Sequence, residues 1–163
     1  MLSARIALSV AALLRGSLDV EDLSSHLDQH FSIALEDGAG AGQAAHIWSD
    51  RRTLASAASE SIDLNGVLSD AFGASLALTK LKALIVVSDP ANTTALTLGN
   101  VVNGIAGPFG PATGSAVVNA GGLLVIVAPD AAGYPIVAAT ADLLKVANAA
   151  GAAATYEVVV IGA

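Results

Sequence analysis

The chain has 163 residues, 7 Lys and Arg against 14 Asp and Glu for a net charge of −7, and no cysteine. This length suits one domain with a short appended arm, and it allows burial of roughly 70% of the extended-chain surface without disulfides or metal. The absence of Cys excludes thiolate metal sites, redox pairs and a cysteine nucleophile. The acidic balance disfavours direct nucleic-acid binding, which needs clustered Lys and Arg; the basic pair Arg51-Arg52 reads as a partner for nearby acids.

Met1 to Arg5 followed by Ile6 to Leu14 superficially resembles a signal peptide, yet no convincing small-residue cleavage site follows, so a soluble, unprocessed chain is expected. Within that segment Ile6, Leu8 and Val10 alternate with Arg5, Ala7 and Ser9, which favours a strand; Ala11 to Leu14 is compatible with strand or helix. The best helical candidate is Asp19 to His30, with Val20, Leu23 and Leu27 on one face and Asp19 as N-cap. Phe31 to Leu35 reads as a strand and Glu36 to Gly42 as a flexible turn.

From Ala44 the rhythm is clearer. Segments through Ile47 to Leu54, Ser59 to Leu64 and Leu76 to Val87 are separated by turn signals at Asn65-Gly66 and closed by Asp89 to Asn92. Further short strands are expected at Ala95 to Leu98, Ala116 to Asn119, Leu123 to Ala128, Pro135 to Ala139, Leu143 to Ala147 and Thr155 to Ile161. Many short strands near ten-residue spacing predict a mainly β protein, an antiparallel β-sandwich or jelly roll with an N-terminal arm and at most one or two short helices. The arm spans residues 1–43 and the sandwich residues 44–163. Leu84, Val86, Leu124, Ile126, Val146, Val158 and Val160 are the expected core. No apolar run reaches the roughly 18 residues of a membrane helix.

Charged residues make up 13% of the chain, against about 25% in an ordinary soluble domain. From Ala83 to Ala163 the only ones are Asp89, Asp130, Asp142, Lys145 and Glu157. A half solvated by Ala, Thr, Ser, Asn and Gly costs little to desolvate against neighbours, which points to assembly; an Ala-rich composition from a high-GC genome is the bland alternative.

No catalytic, cofactor-binding or metal site is expected. His26 and His30 stand at a zinc-compatible helical spacing, but Leu27 occupies the place of the zincin glutamate and no third ligand is suggested. Gly73-Ala74-Ser75-Leu76-Ala77 lacks the second glycine of a nucleophile elbow, and all three histidines, His26, His30 and His46, precede the serine. The Gly38 to Gly42 and Gly99 to Gly114 stretches lack the Lys-Ser/Thr of a phosphate loop. Glu60, Asp63 and Asp70 sit beside turn residues and read as caps and solvated positions. Trp48, Phe72, Phe109, Tyr134 and Tyr156 read as core aromatics, with an interface anchor as the functional alternative.

An ordered series resembles small virion structural proteins of tailed bacteriophages: Trp48 to Leu54, Asp63 to Gly66 through Asp70 to Gly73, Thr79 to Ala83, Gly121 to Tyr134, Asp142 to Val146 and Thr155 to Gly162. The resemblance is distributed over residues 44–162, and Asn119-Ala120 depart from the basic residue and Pro that often precede the Gly-Gly. It implies a capsid decoration (cement) protein, located on the capsid surface after assembly in the host cytoplasm. It would be a homo-oligomer, with a trimer as first choice, and would bind the major capsid protein. No enzyme activity, cofactor, nucleic acid or membrane is implied. A tail or fibre component and a carbohydrate-binding or adhesin module are the alternatives.

Overall fold

A computed structural model describes residues 1–17 and 19–163. Among the described residues it contains fourteen strands and no helix. They are β1 (Ala4–Ser17), β2 (Asp22–Asp37), β3 (Gln43–Ala44), β4 (His46–Leu54), β5 (Ser59–Asp63), β6 (Asn65–Ser69), β7 (Ser75–Ala77) and β8 (Lys80–Ser88). These are followed by β9 (Leu96–Gly99), β10 (Ser115–Val118), β11 (Leu123–Val127), β12 (Tyr134–Pro135), β13 (Leu143–Asn148) and β14 (Ala154–Gly162).

Two antiparallel sheets face each other, ordered β11-β8-β14-β4 and β10-β9-β13-β5, with β12 also pairing β8. If their eight principal strands are counted along the chain, the first sheet reads 6-3-8-1 and the second 5-4-7-2. Successive strands nearly always cross between sheets, which is the winding of a jelly roll. The β6–β7 hairpin is an insertion in one crossover. Alternation along each strand sends one set of side chains between the sheets. Leu84, Val86, Val158 and Val160 from one sheet therefore meet Leu96, Leu98, Leu144 and Val146 from the other, all fully buried. Of the expected core, Leu124 and Ile126 are only half-buried, because β11 is an edge strand.

Asn148 closes one end of the sandwich. Its Nδ2 donates to the carbonyls of Leu54, Ala55 and Ala152 (3.3, 2.9 and 2.8 Å), and its Oδ1 accepts from Thr94 Oγ1 (2.6 Å). One buried amide thus ties together three connections of the chain.

The helix expected over 19–30 is absent: from Asp22 that segment is β2, paired residue by residue with β1 from Ala4↔Leu35 to Ser17↔Asp22. The physical reason lies in the spacing. Leu23 and Leu27 are four apart, which is nearly one helical turn and also two full strand periods, so they share a face in either structure. The facing β1 strand pairs with this segment residue by residue, and this long-range pairing decides for β, while the outward-facing N–H and C=O groups along the ribbon edges are left to water. Residue 18 lies outside the described residues. The strand expected over Pro135 to Ala139 is also shorter than expected. It ends at Pro135, because Val137 N–H bonds Ala141 O and Ala139 N–H bonds Asp142 Oδ2, turning the chain towards β13.

Candidate functional site: an apolar arm and a bare sheet face

In an antiparallel pair, directly opposed residues lie on the same face. One face of the β1–β2 hairpin therefore carries Ala4, Ile6, Leu8, Val10, Ala12 and Leu14 with Leu35, Ile33, Phe31, Gln29, Leu27, Ser25 and Leu23. The other carries Arg5, Ala7, Ser9, Ala11, Leu13, Arg15 and Ser17 with Ala34, Ser32, His30, Asp28, His26, Ser24 and Asp22, a face of polar and small residues apart from the exposed Leu13. The arm is an amphipathic two-stranded ribbon roughly 45 Å long. Its polar face has its own contacts: Arg5 Nε donates to Ser32 Oγ (2.9 Å), and His30 lies 3.1 Å from the Asp28 carboxylate.

Only the base of the apolar face is covered. Leu35 and Ala44 are fully buried with Ala83 and Ile161 of the jelly roll, and Leu2, Ala4, Ile6, Ile33, Val127 and Val159 pack around them. Beyond Ile6 the face is open. Leu8, Val10, Leu14, Leu23, Leu27 and Phe31 are all exposed, Leu14 at 74% and Phe31 at 57%. An isolated two-stranded ribbon is marginal in water, and an uncovered row of six large apolar side chains marks a contact surface.

The sheet under the arm base has a matching outer face. Registers place Val127, Ala83 and Ile161 in one row, Val125, Ile85 and Val159 in the next, and Leu123, Val87 and Glu157 in a third. The arm base covers the first row, whereas Val125, Val87 and Leu123 are exposed. Arg51 on β4 borders the third row and is held by Asp89 (2.8 Å) and Glu157 (3.7 Å).

Two lysines fasten the arm junction. The register between β8 and β14 shifts between Ile161 and Gly162, so Leu81 enters the main core while Lys80 and Lys82 reach the loops beside the arm base. Lys82 is fully buried, and its Nζ donates to Gly40 O (3.2 Å) and Asp130 O. Lys80 Nζ donates to Ala131 O (2.9 Å) and Ala39 O (3.4 Å). Burial, reinforced by the Lys80 charge, pulls the Lys82 ammonium below the usual lysine range, while Asp130 opposes this. The Asp130 carboxyl is itself held low by the N–H groups of Gly133 and Ala132.

A second polar cluster bridges the two sheets at the β4 and β5 edges. Arg52 Nη1 donates to Glu60 Oε2 (2.5 Å), and Tyr156 Oη donates to Glu60 Oε1 (2.7 Å). Arg52 also lies 5.4 Å above the Trp48 ring, and its Nε sits 3.1 Å from Asp50 without hydrogen-bond geometry. Burial opposes the guanidinium charge, but the hydrogen bond and charge of Glu60 outweigh it, so the group stays firmly protonated. Burial and Glu60 push the Tyr156 hydroxyl far above the phenol range. Arg52, Glu60 and Tyr156 thus tie the two sheets together, while the buried Arg52 Nε is left without a hydrogen bond.

The sequence candidates are scattered by the fold. On a strand, His26 and His30 stand about 13 Å apart, too far to share a metal. Among the described residues no group of three His, Cys, Asp or Glu is placed to hold a metal ion. Ser75 Oγ donates to Gly66 O (3.4 Å), and Asp63 and Asp70 accept backbone N–H bonds from Asn65, and from Phe72 and Ala74, as turn caps. Glu60 is the exception, taken up by Arg52 and Tyr156. Trp48 and Tyr156 are core residues, whereas Phe72 is 96% exposed at the tip of the β6–β7 turn. From the sequence, Ile6, Leu8, Val10, Leu13 and Leu14 are too apolar for an arm left in water, which predicts packing on the main domain or a neighbouring subunit, and the base of the arm does pack on the main domain. What sequence reading missed is the β2 half of the face, where alternation through Leu23, Leu27, Phe31, Ile33 and Leu35 carries the signal. No protein-family model, curated protein or solved structure matches this chain.

Proposed function

We propose that this chain is a structural component of a tailed-phage virion, a capsid decoration protein that self-associates and binds the outer surface of the head. The observation that carries the assembly reading is the projecting hairpin with an uncovered apolar face, alongside a bare, nearly uncharged sheet face. The resemblance over residues 44–162 supports the virion setting. A jelly roll is compatible with it, although that fold also serves lectins and enzymes and does not by itself assign a function. The carbohydrate-binding alternative is disfavoured because Trp48 and Tyr156, natural sugar platforms, are buried.

On a shell, a small closed oligomer, a trimer first, would match local symmetry axes and gain affinity through several simultaneous contacts. The test has two parts. Sedimentation at micromolar concentration is expected to show an oligomer, and purified protein is expected to bind expanded shells that lack it. A strict monomer that labels only tails would overturn the decoration reading in favour of a tail component.

A further inference from the structure

We infer that the open distal face of the arm seats on the bare outer sheet face of a second copy of this chain, so that copies are joined through their arms. This rests on the homo-oligomeric reading above and specifies its contact.

The chain already contains one instance of the contact. The same hairpin face, at Ala4, Ile6, Ile33 and Leu35, packs on the first row of the same sheet face, at Ala83, Val127 and Ile161. Both surfaces continue past that contact as mainly apolar faces, the sheet as far as Glu157 in the third row. Leu8, Val10, Leu14, Leu27 and Phe31 extend the arm face, and Ile85, Val87, Leu123 and Val125 extend the sheet face. Yet the two continuations do not cover each other within one chain, since Leu8, Phe31, Val87 and Leu123 are all exposed. A second copy supplies the missing half for each.

Charge agrees with this pairing. The arm stretch contains no ionisable side chain, and the only one in the three sheet rows is Glu157, beside Val87 in the third row, with Arg51 of β4 3.7 Å from it. Docking would leave the polar back of the arm, with Arg15, Asp22, His26 and His30, in water, where its groups are solvated. The arm row exposes on the order of 500 Å² of apolar surface, equal to the largest patch of a typical monomer. Around a closed ring each copy would give one arm and receive one, and each such contact would bury on the order of 1,000 Å², the lower end of specific protein interfaces.

The cysteine-free chain allows a direct test. Leu27→Cys and Val87→Cys proteins are mixed and oxidised mildly. A disulfide-linked dimer is expected from the mixture and not from either protein alone; a dimer from Leu27→Cys alone would mean that arms pack on arms, and would overturn the inference. In parallel, Phe31→Glu and Val87→Glu are each expected to weaken self-association at least about tenfold. Their far-UV circular dichroism should be unchanged, because both side chains lie outside the core. An oligomer that survives Phe31→Glu overturns this contact and leaves the homo-oligomeric reading standing, whereas a monomeric parent protein overturns both.

Discussion

Replacing Asn148 by Ala tests how the sandwich is closed at the end where the 54–55, 94 and 152 connections meet. The substitution removes an amide that donates two protons among three carbonyls and accepts one from Thr94. Each lost bond costs about 1 kcal/mol net, and a buried group left without a partner adds about 1–3 kcal/mol. Ala55 is exposed and Ala152 and Thr94 are half-buried, so water re-solvates part of the set. The expected loss is therefore about 3 kcal/mol, or roughly 6–12 °C in melting temperature for a domain of this size. Asn148→Asp is the sharper control. It keeps an acceptor for Thr94 but turns a carboxylate towards carbonyl oxygens. At neutral pH it should be worse than Ala. Burial among carbonyl oxygens raises the folded-state pKa, so stability should return as the pH falls through that raised value and be fully recovered below about 4, where the unfolded chain is protonated too. Urea denaturation of the three proteins across pH measures both effects. A loss under 1 kcal/mol for Ala, or an Asp variant as stable as the parent at pH 7, would refute the closure argument.

Three further outcomes are expected. The Tyr156 hydroxyl is raised in the folded state, so its contribution to stability is complete below pH 10 and is lost as the unfolded chain ionises above it; Tyr156→Phe should flatten the alkaline decline in a pH series of melting curves. Gly114→Ala would place a Cβ 1.8 Å from the carbonyl oxygen of Phe109, so a loss of at least about 3 kcal/mol is expected in the denaturant midpoint. Leu35→Ala should loosen the arm junction by about 3 kcal/mol, read as faster amide exchange in β1 and β2 with β9 and β13 unchanged.

Much of this architecture is legible in the chain because strand alternation and turn chemistry are local. The ten-residue rhythm from Ala44 onward, with breaks at Asp89 to Asn92 and Gly121-Gly122, is enough to place β4, β5, β8 to β11, β13 and β14 within a few residues and to predict a sandwich, but it reads the start of β6 as a turn at Asn65-Gly66 and runs β7 into β8. Composition likewise underlies the proposal of assembly, since Asp89, Asp130, Asp142, Lys145 and Glu157 are the only charges from Ala83 to Ala163. Other features depend on contacts between residues far apart in sequence. Strand order separates a jelly roll from any other sandwich, and no local pattern encodes it. Leu23 and Leu27 fit helix and strand equally, and only the facing β1 strand settles which forms. Glu60 looks like a solvated turn acid until the two sheets bring Tyr156, 96 residues away, to its carboxylate. Lys82 reads as an ordinary surface lysine in a strand, and the register shift at Ile161 buries it among carbonyls of two distant loops. The uncovered arm face is decided last of all, because exposure depends on where the rest of the chain stops covering it.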